Sequence, residues 1–106
     1  LYIENGQPYH MTFGCLVHEM THVWQHDNLD FAAMMAHHGD LLVEGHAVWA
    51  ETACLTKKGI GLAYCEMERA RTDEYGRGYR LVEQLMKDSG KTSPFEFLRG
   101  AYPRKS

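Results

Sequence analysis

The sequence has few cysteines, and their spacing does not predict a disulfide framework. Its 106 residues include three cysteines, Cys15, Cys54 and Cys65, and no two of them form a C-x-x-C pair. Small secreted domains that depend on disulfides usually carry an even number of cysteines. We therefore expect free thiols and favour a reducing compartment such as the cytoplasm, although no targeting motif in the sequence indicates a location.

The chain also has no long apolar run and no excess of positive charge. No stretch approaches the roughly 18 apolar residues that span a bilayer, and no secretory signal is visible. The formal net charge is −3 at pH 7, which does not favour binding to nucleic acid or to an anionic membrane. We expect a single domain over residues 1–106, and the start at Leu1 rather than Met admits a longer parent chain.

The most informative stretch runs from His18 to His22 and matches the pattern H-E-x-x-H. On a helix, residues four apart lie on one face with Cβ atoms roughly 5–6 Å apart, so both imidazoles can reach one zinc ion. Glu19 lies about 100° further round the helix and can contact a water bound to that ion instead. The pattern predicts a zinc hydrolase in which His18 and His22 bind the metal and Glu19 is the general base.

A third protein ligand is expected, because a catalytic zinc usually has three of them plus a water. Glu44 is the first choice, since its separation of 22 residues from His22 fits a helix, a connection and a second crossing helix. A salt bridge or a solvated carboxylate is the alternative for Glu44, and His37 and His38 are the rival ligands. Cys15 precedes the pattern by three residues, and we expect it to be a buried cysteine rather than a sulfur ligand.

Two groups of residues are candidates for supporting roles around this metal. Asp40 and Glu51 can share a helical face with Glu44, and we expect them to hold the non-ligating nitrogens of His18 or His22. Hydrolysis also needs a donor that stabilises the oxyanion of the tetrahedral intermediate. The candidates for that donor are Tyr75, Tyr79, His46 and His10.

Apolar periodicity and capping residues predict a mainly α fold of the α+β zincin-like type. We expect a bundle of about four to five helices behind a short N-terminal β-strand or hairpin, which the Asn5-Gly6 turn signal indicates. Apolar neighbours of the pattern, such as Leu16 and Val23, predict that the first helix is buried. The expected helices cover about residues 12–26, 28–38, 41–58, 75–89 and 93–99, and residues 64–73 are either a surface helix or an irregular connection.

Three segments, in order along the chain, match the pattern of a known family: Pro8, Thr12 and Gly14 leading into His18–His22, then Val43-Glu44-Gly45, then Tyr75-Gly76-Arg77-Gly78-Tyr79-Arg80. Together they resemble the ubiquitin-activated LIM-domain peptidases of plants, the DA-one-like family. The resemblance implies a zinc endopeptidase of the gluzincin type that acts on a peptide or protein substrate. It implies Zn²⁺ held by His18, His22 and Glu44, with Glu19 as the base.

Departures from known families leave other readings open. The LIM modules and ubiquitin-binding helices of that family are not in this sequence, and Val48 stands where thermolysin-like enzymes have an aspartate that orients a histidine. SprT-like metallopeptidases are the second resemblance, and they would favour His37 or His38 as the third ligand. The alternatives to catalysis are an inactive zinc-stabilised structural or protein-binding domain derived from a peptidase and a metal-free helical interaction domain. Nothing in the sequence indicates an oligomeric state.

Overall fold

The computed structural model describes residues 9–105, and these residues form six α-helices and no β-strand. The expectation of a mainly α fold is confirmed. The expectation of an α+β fold with four to five helices is wrong for this part of the chain, which is all-α, and the strand or hairpin expected near Leu1–Ile3 lies outside the described residues. The helices are α1 (Tyr9–Asn28), α2 (Phe31–His38), α3 (Asp40–Lys58), α4 (Leu62–Ala70), α5 (Glu74–Ser89) and α6 (Pro94–Ala101).

The additional helix is α4, in the region where the sequence left a helix and an irregular connection open. Gly59 and Gly61 both have positive φ angles (72° and 62°) and form the turn that brings α4 back against α3. Glycine adopts this conformation without the steric cost that a side chain imposes. The helix buries Cys65 and half-buries Tyr64, so its apolar face is too narrow to give a clear helical period.

Helix α1 is longer and more exposed than the sequence predicted. It is already helical at Tyr9, so Thr12 lies inside the helix and is not its N-cap. Leu16, Met20 and Val23 are 57%, 60% and 60% exposed, which shows that the expectation of a buried helix is wrong for this face. Despite these apolar residues, no helix within residues 9–105 is long and apolar enough to cross a membrane.

Side-chain caps lie at the starts of α2 and α6. The Asp30 carboxylate accepts a hydrogen bond from the Ala33 amide at the start of α2, and Gly39 follows its last turn. The Ser93 hydroxyl accepts from the Glu96 amide at the start of α6. Each cap satisfies a backbone N–H group that has no partner inside its helix.

Helix α3 is the central element, and α1, α2, α4 and α5 all pack against it. A hydrophobic cluster fills the space beneath it: Leu29, Met34, Leu42, Val43, Val82, Met86 and Leu98. Helix α3 crosses α5 at Gly45 and Gly78, where a Cβ atom on either glycine would overlap the backbone of the other helix. This close crossing places Glu44 between α1 and α5, which fixes the position of the candidate site.

Candidate metal centre

The structure brings together the three residues that the sequence predicted as metal ligands. The Nε2 atoms of His18 and His22, on adjacent turns of α1, each lie 3.0 Å from Oε1 of Glu44 on α3. All three ligand atoms lie within 4.8 Å of one another, and the three side chains are partly buried. The i and i+4 spacing on α1 aligns the imidazoles, and the α1–α3 packing supplies the carboxylate.

This arrangement fits the ligand spacing that a zinc ion requires. Bonds of about 2.0–2.1 Å in a tetrahedral site separate the ligand atoms by roughly 3.3 Å, and both Nε2–Oε1 distances are 3.0 Å. Two neutral imidazoles and one carboxylate are donors that zinc accepts, and other divalent ions accept them too. The three residues can therefore hold a divalent metal ion.

The second ring nitrogen of His18 is held by a buried carboxylate. The Nδ1–H group of His18 donates to Oε1 of Glu51 at 3.2 Å, and Glu51 is buried on α3. The hydroxyl of Tyr64 on α4 donates to the other oxygen of Glu51 at 2.5 Å. Gly14 on α1 leaves room for this carboxylate, because a Cβ atom there would lie 2.8 Å from its Oε2. Glu51 therefore contacts the ring nitrogen of His18 that faces away from Glu44.

The second ring nitrogen of His22 is held by a residue that sequence reasoning missed. The Nδ1–H group of His22 donates to Oε1 of Gln25 at 2.9 Å. Gln25 is completely buried, and its amide nitrogen lies 3.1 Å from the carbonyl oxygen of Val43 and 2.9 Å from Nδ1 of His46. One sequence feature could have identified Gln25: it is an amide one helical turn after His22, so it lies on a similar face of α1.

Glu19 lines a cleft whose wall includes His18 but neither His22 nor Glu44. The cleft has a volume of about 240 Å³, and its walls include Glu19, His18, Tyr75 and Arg71. The ring of Tyr75 lies 6.0 Å from the ring of His18, and the guanidinium of Arg71 lies 4.7 Å from the Tyr75 ring centre. Arg71 also pairs with Asp73 and with a glutamate on α4, so the cleft wall is anchored by ion pairs.

Several candidates for the supporting roles lie elsewhere. Asp40 is exposed at the first turn of α3 and does not line the cleft. The Tyr79 hydroxyl donates to Glu83 on the same helix, 3.3 Å away, and also lies outside the cleft wall. His46 is buried behind Gln25, and His10 packs against an α4 tyrosine with ring centres 5.6 Å apart. Tyr75 is the only oxyanion candidate in the wall of this cleft.

The rival third ligands are not part of the cluster. His37, at the end of α2, has its Nδ1 atom 2.6 Å from the Tyr102 hydroxyl, and His38 packs against the His37 ring. Cys15 is exposed rather than buried as expected, and it contributes no ligand atom to the His18, His22 and Glu44 group. Although Cys15 is exposed, partial removal from water and the charge of Glu51 raise the pKa of its thiol, which makes a thiolate ligand there less favourable.

The protonation of the histidines follows from their surroundings. Burial alone would lower the pKa of His18, but its hydrogen bonds with Glu51 and Glu44 outweigh burial and raise it. Burial lowers the pKa of His46 to about 3, and the charge of His22 adds to this effect. His46 is therefore a neutral imidazole near pH 7. Burial and the neighbouring Glu51 also raise the pKa of Tyr64, so its hydroxyl stays a donor.

Comparisons with protein-family models, curated proteins and solved structures give no match to this chain.

Proposed function

We propose that this chain is a zinc-dependent metallopeptidase domain that hydrolyses peptide bonds. The observation that carries the proposal is the convergence of two H-E-x-x-H imidazoles on one carboxylate oxygen, at 3.0 Å each, beside a cleft that Glu19 lines. His18, His22 and Glu44 are the proposed zinc ligands. The two histidines and one glutamate favour the gluzincin type and the DA-one-like resemblance over the SprT-like one, which needs a third histidine.

The proposed chemistry assigns separate tasks to the side chains of the cleft. Zinc supplies a Lewis acid that polarises a carbonyl and makes a water acidic enough to react near pH 7. Glu19 accepts the proton of the attacking water and returns it to the leaving amine. Tyr75, in the cleft wall with its ring 6.0 Å from the His18 ring, can donate its hydroxyl to the oxyanion. The charge of Glu44 and burial raise its pKa.

The substitution Glu19→Gln tests this assignment of the base. We expect the variant to bind zinc as tightly as the parent and to lose at least about a hundredfold in hydrolysis of a peptide library. Glu66→Gln is the matched control, because Glu66 is an exposed residue of α4 outside the cleft. Parental hydrolysis by the Glu19 variant would contradict the proposed mechanism.

The second candidate function is a zinc-stabilised binding or structural domain without catalysis. The size of the cleft favours it, because 240 Å³ is below the roughly 300–1,000 Å³ of most small-molecule sites. In that case zinc contributes to folding only. If this function is correct, the protein cuts no member of the peptide library, and a chelator only lowers its melting temperature. If the protein is a peptidase, a chelator lowers the melting temperature and also abolishes hydrolysis.

A further inference from the structure

Gln25 is a fully buried polar residue in direct contact with a proposed metal ligand. It lies on α1 one turn after His22, and its side-chain oxygen is 2.9 Å from Nδ1 of that histidine. Its side-chain nitrogen is 3.1 Å from the Val43 carbonyl and 2.9 Å from Nδ1 of His46. Burying an amide is costly unless its hydrogen bonds are made, and here all three partners come from within the fold.

The partners of the Gln25 amide allow only one orientation. A backbone carbonyl accepts hydrogen bonds and cannot donate them, so the amide nitrogen, and not the oxygen, must face Val43. The second hydrogen of that nitrogen then points to Nδ1 of His46, which accepts it. The side-chain oxygen is left facing His22, where it can only accept. A neutral His22 must therefore carry its proton on Nδ1, so that Nε2, which faces Glu44 at 3.0 Å, has its lone pair available to a metal.

We propose that Gln25 is a positioning residue that holds His22 in the Nδ1–H tautomer and presents its Nε2 lone pair to the metal, with Val43 and His46 fixing the orientation of the amide. The inference rests on the proposed metal site. It assigns a role to His46 as well: this buried imidazole accepts at Nδ1 and carries its own proton on Nε2. Partners that orient a ligating histidine also raise its affinity for metal.

The first test is the tautomer of each histidine in the full chain, labelled with ¹⁵N-histidine and stripped of metal by a chelator. NMR spectra that correlate ring nitrogens with carbon-bound protons distinguish Nδ1–H from Nε2–H. We expect the neutral form of His22 to be Nδ1–H and His46 to be Nε2–H. In Gln25→Met, we expect His22 to lose its Nδ1–H preference. Neutral His22 as Nε2–H in the parent, or His46 as Nδ1–H, would overturn the inference.

The second test is zinc affinity, measured by competition with a chromophoric chelator. Gln25→Met keeps the side-chain length and removes the acceptor, and we expect its affinity to be about 10- to 100-fold weaker. Thr21→Val is the matched control, because Thr21 is a buried polar residue of the same helix whose hydroxyl bonds only to the Val17 carbonyl. We expect the control to stay within about threefold of the parent. Parental affinity in Gln25→Met would overturn the inference.

The two tests separate the failure of this inference from the failure of the proposed function. A parent chain that binds no zinc would overturn the metallopeptidase proposal, and the tautomers of His22 and His46 would then decide the role of Gln25 alone. If Gln25→Met does not fold, the tautomers of the parent chain decide in the same way.

Discussion

The two histidines of the metal centre lie one helical turn apart, yet their second ring nitrogens are held by different chemistry. His18 donates to Glu51, a carboxylate on α3 that a tyrosine of α4 also contacts. His22 donates to Gln25, a neutral amide on its own helix. Both partners are buried, so solvent competes little with either hydrogen bond. One support is anionic and involves residues of three helices, whereas the other is neutral and lies three residues after its histidine on the same helix.

The difference indicates that the two supports act by different physical means. A carboxylate attracts the ring proton of its histidine, which makes Nε2 a stronger electron donor to a metal. An amide adds no net charge, so it acts by fixing the tautomer and the ring orientation. With Glu44 and Glu51 already close to the metal position and Glu19 in the adjoining cleft, a neutral partner for His22 avoids a further carboxylate and its repulsion.

The largest effect should come from Gly45→Ala, which disturbs both supports together. The new Cβ atom would overlap the backbone of Gly78 where α3 crosses α5, so the helices must separate. We expect a loss of about 1–3 kcal/mol in unfolding free energy, measured by urea denaturation, together with weaker zinc binding. Gly100→Ala on α6 meets no neighbouring atom and should be neutral or stabilising by up to about 1 kcal/mol. Equal unfolding free energies for the two variants would contradict the close approach of α3 and α5 at Gly45 and Gly78.

Two substitutions of Glu51 separate its charge from its role as a hydrogen-bond acceptor. Glu51→Leu removes both the charge and the acceptor, and we expect about 100-fold weaker zinc binding in a competition titration. Glu51→Gln keeps an acceptor for His18 and loses the charge, so we expect a loss of about tenfold. If both variants bind zinc equally, the charge of Glu51 contributes nothing to zinc affinity. That result would contradict the claim that Glu51 and Gln25 support their histidines by different means.

His46→Leu tests whether the neutral support depends on a second residue. The variant leaves one hydrogen of the Gln25 amide without an acceptor, and the Val43 carbonyl still holds the other. We expect zinc affinity to fall about 3- to 10-fold. In a Gln25→Met background the same change should have little further effect, because residues that act through one contact are not additive. Additive losses of zinc affinity in this double-mutant cycle would contradict the coupling between His46 and Gln25.

The smallest effect should come from Tyr64→Phe, at the outer end of the anionic support. The variant loses the hydrogen bond to Glu51 and keeps the ring that packs against His10. Since Glu51 still accepts from His18, we expect zinc affinity to fall by no more than about threefold. A loss as large as that of Glu51→Leu would show that Tyr64, and not the carboxylate, orients His18.

The parts of this site that the sequence could predict are those set by helical spacing or by charge. The spacing of His18 and His22 follows from one helix, and Glu44 and Glu51 stood out as carboxylates on an apolar helix. Gln25 gave only a weak signal, its position one helical turn after His22, because an uncharged amide on a helix usually faces solvent. Its role depends on the α1–α3 packing, which local sequence does not encode.

The fold was likewise predictable where a helical pattern is clear and not where it depends on tertiary packing. Helices with a broad apolar stripe, such as α3 and α5, were predictable from their period. Helix α4 was ambiguous because only Cys65 is fully buried on it. Arg71 and Tyr64 were missed as cleft residues for that reason, since their positions depend on how α4 packs against α3.

The most direct test is the zinc content of the parent chain and of Glu44→Ala after dialysis against limited free zinc, measured by elemental analysis. Glu44 is the one ligand that comes from a second helix, so it distinguishes a metal centre from two histidines on one helix face. We predict about one zinc per parent chain and a large loss in the variant. A parent chain without zinc, or a variant that keeps the full amount, would contradict the metal centre on which the proposed function depends.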